Sequence, residues 1–339
     1  MSDTIIDAEL HAGAPELAEL LPFMESSWAE RMTRTHFSLP PPGEHPGGGL
    51  ARTGANAASP EGMSAELDSS VQYALLVPHQ IMPAAGWCDT KMCSIYASAI
   101  NRYMLEKWIP QDKRYRLALA LSAHEPADAA AEIHAQAKNP AVGAVSFSLL
   151  SINLGRTHYE QIFAAAAEHD LPVIIHPSGG EGLVLGTPQI GGVGPRVRNE
   201  RWVLLPQVAA VNIASLVFDG VFVRWPNLKV VIAGFGFDWV LPLVWRLEME
   251  WRNLRLDVPW ITESPICYFE RNIRLVVNDL AGSSDMARYV ATTLPEQTLL
   301  YGSNGPFDVS DRAEILTAFP DKLRERIANL NSRETFRFL

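Results

Sequence analysis

Eight short runs of Val, Ile, Leu and Ala, separated by stretches with helical spacing, limit the fold of this chain more than any other feature. They lie at Thr4–Glu9, Val71–Val77, Arg116–Leu121, Val142–Phe147, Leu171–His176, Lys229–Ala233, Ile273–Asn278 and Thr298–Tyr301. Strands that alternate with helices pair in parallel and are buried on both faces, so they read as continuous apolar runs. In a chain of 339 residues, eight such units fit an α/β (β/α)8 TIM barrel better than an open sheet. A hydrophobic content of 47% supplies the core for one domain spanning residues 1–339.

The linking segments carry their own signals. Leu17–Met32 has helical spacing, Asp89 caps a helix reaching Trp108, and Pro126–Lys138 forms another. Thr157 with Glu160 forms a capping box opening a helix to His169, and further helices cover Val203–Phe218, Phe237–Asn253 and Asp285–Thr293. Pro206, Gln207, Asn212 and Asp219 interrupt the apolar passage Val203–Val223, which therefore reads as a buried helix and not a membrane span. From His36 to Met63 prolines and glycines are too dense for helix or strand, which predicts a long loop inserted into the barrel.

Net charge of −10 and the absence of any Lys/Arg block argue against nucleic acid or an acidic membrane as partner and favour a small molecule. Three cysteines, Cys88, Cys93 and Cys267, without a CxxC pair indicate neither a disulfide framework nor a zinc finger. The expected location is reducing cytoplasm, and no basic and apolar leader opens the chain.

Chemistry in a parallel barrel gathers at the carboxyl ends of its strands. The run LPVIIHPSGG ends its apolar stretch at His176 and then breaks. Glu9 and His11 stand two residues apart, so their side chains leave extended backbone on one side. His79 and Gln80 follow the second run and His124 and Glu125 the third, each placed to line the mouth. For any single histidine the plainer reading is a core imidazole satisfied by a carbonyl or, for His79, a solvated loop residue. His134, His158 and His169 fall on helices and read as surface residues.

The motifs IIDAELHAGAPELAELLPFM, LPVIIHPSGG, SLVFDGVFVRWPNLKVVIAGFGFDWVLPLVWRLEMEW and LLYGSNGPFD, taken in order from Ile5 to about Asp308, resemble the amidohydrolase-related branch of the amidohydrolase superfamily. That resemblance implies a distorted TIM barrel and a metal-dependent hydrolase or decarboxylase. It implies that Glu9, His11 and His176 bind one divalent ion, and a carboxylate with two imidazoles suits Zn, Mn or Fe. It also puts Asn304 where relatives carry an Asp that binds metal and moves a proton, and leaves Ala233 or Gly234 at the sixth strand end without a polar group. An amide is a weaker ligand and accepts no proton. Asp308 and Asp311 downstream are carboxylates able to replace the missing acid.

The function this implies is decarboxylation or hydrolysis of a small, aromatic carboxylic acid by a homo-oligomer or hetero-oligomer, with Asn304, His79 and Asp308 as catalytic candidates. The alternative is a subunit with a reduced metal site beside a homologous chain in a larger metalloenzyme such as an oxygenase. A metal-free binding protein is a third class. For Asn304, natural divergence, a disarmed subunit and an engineered Asp-to-Asn variant all stay open.

Overall fold

A computed structural model describes residues 4–12, 16–36, 59–183, 185–190, 194–278, 284–305 and 312–338. Eight strands pair in parallel in sequence order: β1 Ile5–Leu10, β2 Val71–Leu76, β3 Tyr115–Ala120, β4 Val142–Ser148, β5 Val173–His176, β6 Val230–Ile232, β7 Ile273–Val277 and β8 Leu299–Tyr301. The sheet curls into a barrel whose seam is made by the residues just after β8. Leu10 bridges Gly305, the Asn304 N–H donates to the Glu9 carbonyl at 2.9 Å, and the His11 N–H donates to the Gly305 carbonyl at 2.7 Å. Register shifts between β1 and β2 and between β3 and β4 distort the ring.

Alternation along each strand sorts side chains into two apolar layers. Ala8, Leu75, Ala118, Ala144, Ile174, Val231, Val276 and Leu300, one from each strand, meet inside the barrel, and Phe336 joins them at its foot. Neighbours such as Val173 and Ile175 face the surrounding helices. Because β5 alternates in this way, His176 turns to the same side as Ile174. The final segment runs across the foot: Asn329 Nδ2 donates to the Thr4 carbonyl at 2.9 Å and Asn331 Nδ2 to the Leu299 carbonyl at 2.8 Å.

Every expected strand is present, with ends moved by one or two residues. Asp89 caps Thr90–Tyr103 through the Met92 N–H, and a π-helical turn over Met104–Trp108 carries that helix to its expected end. The long apolar helix begins earlier than expected, at Arg198, and ends at Phe218 before Gly220. It is the one helix among the described residues that is long and apolar enough to cross a membrane, and Leu205, Ala209, Ile213 and Leu216 set one of its faces into the core.

Two local expectations fail. The predicted loop from His36 to Met63 gives way at Pro60 to a helix, Pro60–Glu66, because Ser59 accepts the Gly62 N–H at 3.0 Å and Pro60 occupies a first-turn position that needs no N–H. Residues 37–58 of that predicted loop lie outside the described residues. The Thr157–Glu160 capping box does not form, because Thr157 is itself the first residue of a tight 3-10 turn, Thr157–Tyr159, that leads into Glu160–Glu168. Four short helical pieces after β8, from Arg312 to Thr335, were not anticipated.

Candidate metal centre

β1 and β5 carry three side chains to one point at the barrel mouth. Glu9 and His11 are buried, His176 is 13% exposed, and ligand atoms of all three lie within 4.8 Å of one another. Glu9 Oε1 is 2.9 Å from His176 Nε2 and 3.5 Å from His11 Nε2. The Asn304 carboxamide joins them from the seam, with Oδ1 3.1 Å from His11 Nε2.

The other ring nitrogens decide which tautomers are present. His11 Nδ1 lies 3.0 Å from the Val77 carbonyl and His176 Nδ1 2.9 Å from the Pro177 carbonyl. A carbonyl oxygen only accepts, so each Nδ1 carries a proton and, in the neutral ring, each Nε2 presents its lone pair. Those lone pairs point at the oxygens of Glu9 and Asn304. Glu9 Oε1 and His176 Nε2, both buried, are within hydrogen-bonding distance but not in hydrogen-bonding alignment. Acceptor facing acceptor in a buried site is stable with a cation among them or with the imidazoles charged.

Glu9 is an anion in either arrangement, held so by positive charge beside it: the protons of charged imidazoles or a cation in their place. Burial alone would raise its pKa, yet hydrogen bonds and charge from His11 and His176 as imidazolium groups hold it down at about 2. Asn278 Nδ2, at the end of β7, donates to Glu9 Oε2 at 3.1 Å and fixes the carboxylate plane. Beneath it, burial pushes the Asp7 carboxyl up to about 6, although Asp7 Oδ1 accepts the N–H groups of Glu9 at 3.1 Å and Ser303 at 2.9 Å.

Two backbone features hold the imidazoles in place. Gly234, after β6, has φ +77, and a Cβ there would come within 2.9 Å of Pro177 and 3.2 Å of His176 Nε2, so this strand end contributes space and no ligand. In the loop after β5, the buried Glu181 accepts from the N–H and hydroxyl of Ser178, from the Gly179 N–H, and from Arg201 Nη2 at 2.6 Å. That knot pins the turn directly after His176.

Of the sequence candidates, Glu9, His11, His176, Asn304 and His79 come together. The expectation of a solvated His79 is wrong: it is 3% exposed and its ring meets His11 edge-on at 5.5 Å, because His79–Gly86 forms a 3-10 segment packed over the mouth. Gln80 is buried as well and ties down the end of β1 through the Ala12 carbonyl at 3.0 Å. His124 Nε2 bonds the Ala84 and Ala85 carbonyls and belongs to the rim. Asp308 and Asp311 lie outside the described residues. Sequence reasoning missed Asn278 and Asp7, although the rule used for His176, a polar residue ending an apolar run, also singles out Asn278. A second group able to hold a metal, His134, Glu168 and His169, sits on the helical layer in exposed or half-buried positions, with His134 Nδ1 2.9 Å from His169 Nε2.

A family model described as amidohydrolase matches residues 7–338. The chain belongs to the amidohydrolase family. Solved structures share the fold of this chain at low identity. An amidohydrolase from Mycobacterium avium subsp. paratuberculosis K-10 superposes with a TM-score of 0.72 at 17% identity, covering 98% of each chain. The 5-carboxyvanillate decarboxylase of Sphingomonas paucimobilis gives 0.71 at 17% identity over 100% of both chains. A dihydroxybenzoic acid decarboxylase from Polaromonas sp. JS666, solved with manganese and the inhibitor 2-nitroresorcinol, gives 0.67 at 16% identity, covering 98% of this chain and 96% of that one.

Proposed function

We propose that Glu9, His11 and His176 hold one divalent metal ion and that the protein is a lyase that decarboxylates a small hydroxylated aromatic acid. The observation that carries the metal assignment is the convergence of two Nε2 lone pairs and one carboxylate oxygen, each fixed by a carbonyl or amide behind it. Manganese in a structural neighbour, and the aromatic-acid decarboxylases among those neighbours, support the choice of reaction.

A divalent ion bound there supplies a Lewis acid that draws electron density from a chelating carboxylate and phenol. The remaining work falls to the chain. Glu9 offsets the charge, and the Val77 and Pro177 carbonyls fix the tautomers of His11 and His176. Asn304 has no ionisable group, so it cannot take a proton from water, which weighs against hydrolysis. Decarboxylation needs no activated water. The bond between ring and carboxyl carbon breaks, its electron pair stays on the ring, carbon dioxide leaves, and a proton takes the vacated position. We assign delivery of that proton to His79, the imidazole packed against His11.

The test is metal content by elemental mass spectrometry, followed by carbon dioxide release from 2,6-dihydroxybenzoate and 5-carboxyvanillate. About one bound ion per chain and measurable release are expected. Failure to bind metal sinks the assignment. Metal without release from any hydroxylated benzoate favours the second reading, a reduced-site subunit that works beside a homologous chain, for which the uncharged Asn304 is the supporting observation.

A further inference from the structure

We infer that Ser122 and Ser148, at the ends of β3 and β4, form a subsite that recognises a ring hydroxyl of the substrate. This rests on the proposed function, because it names a feature of the acid bound at the metal centre. The two hydroxyls line a cavity of about 10 Å³ together with Leu150 and the rim residues Ala85 and His124. Both serines are 6% exposed, and neither Oγ has a hydrogen-bond partner. Buried hydroxyls without partners are uncommon in a folded protein and cost stability.

Register places this pair beside the metal centre. Ser148 is the Cα partner of His176 in the β4–β5 ladder, so both side chains leave the same face of the barrel. The Leu121 N–H donates to the Ser146 carbonyl, which brings Ser122 level with Ser148 on the next strand. Neighbouring strands are separated by about 4.8 Å, the scale of one aromatic ring. A ring held by its carboxylate at Glu9, His11 and His176 thus extends a substituent toward the two serines.

The cavity admits one water-sized group, and a phenolic oxygen is that size. A serine hydroxyl both donates and accepts, as a phenol does, so the pair satisfies both roles of one ring hydroxyl. The rim closes over the cavity without using these hydroxyls. His124 Nε2 is bonded to the Ala84 and Ala85 carbonyls, and the Ser151 N–H donates to the Gly186 carbonyl from the loop after β5 at 2.7 Å.

The test titrates manganese-loaded protein with 2-nitroresorcinol and with 2-nitrophenol, which lacks one ring hydroxyl, and follows their visible absorbance. Wild type is expected to favour 2-nitroresorcinol by roughly tenfold, the effect of one satisfied buried hydrogen bond. In the double variant Ser122→Ala/Ser148→Ala this preference falls to about twofold or less, while manganese content and 2-nitrophenol affinity stay unchanged and the melting temperature holds or rises. The single variants Ser122→Ala and Ser148→Ala, expected to lose part of the preference each, carry the same test if the double variant does not fold. A variant that keeps the full preference overturns the inference, and so does a wild type that binds both probes equally. If the melting temperature falls while the preference persists, the cavity houses a structural water and the inference is again overturned. Wild type that binds neither probe overturns the proposed function together with this subsite.

Discussion

At the mouth of the barrel, acceptor atoms of Glu9, His11 and His176 converge on a common point. At the foot, the buried Arg274 and the half-buried Lys229 and Arg337 diverge, each toward backbone carbonyls: Lys229 to Arg271, Arg274 to Glu270 and Ile273, Arg337 to Ala137, Asn139 and Val142. The foot has its own cavity, of about 240 Å³, whose lining includes Lys229, Arg337, Asp170 and Glu334. The side chains at the foot reach backbone carbonyls of this chain and fasten strands to the closing segment, although Arg274 Nε and Arg337 Nε are left without a partner. Those at the mouth converge without a donor between them, and on the proposed function a cation from outside would complete them. The same ring of strands thus ends in a fastening on one side and a receptacle on the other.

The sharpest way to break this contrast is Glu9→Ala. We expect metal content to fall at least tenfold and carbon dioxide release to become undetectable, because the one anionic ligand is gone. Chelation of the wild-type protein should in parallel lower its melting temperature by several degrees, since an ion that binds the native state adds to stability. Unchanged occupancy in Glu9→Ala would put the ion elsewhere, with His134, Glu168 and His169 the first place to look.

The complementary change at the foot is Phe336→Ala. Removing this ring from the interior layer should cost about 3–5 kcal/mol in denaturant unfolding while leaving metal content near one ion per folded chain. A proportional loss of metal would show that the two ends are not independent.

Asn304→Asp asks what the neutral residue withholds. Asn304 has φ +56, a conformation Asp also tolerates, so the backbone need not move. Metal affinity should rise by about tenfold in calorimetric titration, as a second carboxylate reaches the position facing His11 Nε2. No change would mean that this position does not touch the ion.

The smallest effect concerns Lys229. Burial, then Arg274 and Arg271, pull its pKa down to about 8 from 10.5. Between those values the unfolded chain holds a proton that the folded chain has lost, so this residue makes stability rise with pH from about 8 to 10.5. In Lys229→Met that rise should disappear from urea midpoints measured across the range. Persistence of the slope would assign it to another group.

How much of this was readable beforehand differs between the same two ends. The strands were legible because both faces of each are buried, which leaves unbroken apolar runs. His176 was legible because an apolar run stops at it, and Glu9 and His11 because they stand two residues apart at a strand end, while the family resemblance joined the three. The tautomers were not, since they depend on the carbonyls of Val77 and Pro177, and a carbonyl has no signature in sequence. His79 looked solvated beside Pro78, and its burial is a tertiary outcome of the 3-10 segment folding over the mouth. Asn278 was passed over because asparagine after a strand is also an ordinary turn residue. Ser122 and Ser148 carry no pattern at all, and their part follows from register alone. The seam joining β1 to Asn304 and Gly305, like the short helices at the foot, joins residues too distant in the chain for local periodicity to report.

That seam sets the order in which the protein is put together. Glu9 belongs to the first strand made, yet its carbonyl is held by the Asn304 N–H, which comes from the last. Pairings between such distant parts of a chain carry a loop-closure cost before their contacts repay it, which slows their formation. The cluster of donors is therefore complete only when the ring shuts, and an ion arriving during synthesis meets no finished site. On the proposed assignment the metal would act as a latch on a closed barrel, not as the seed around which the barrel grows.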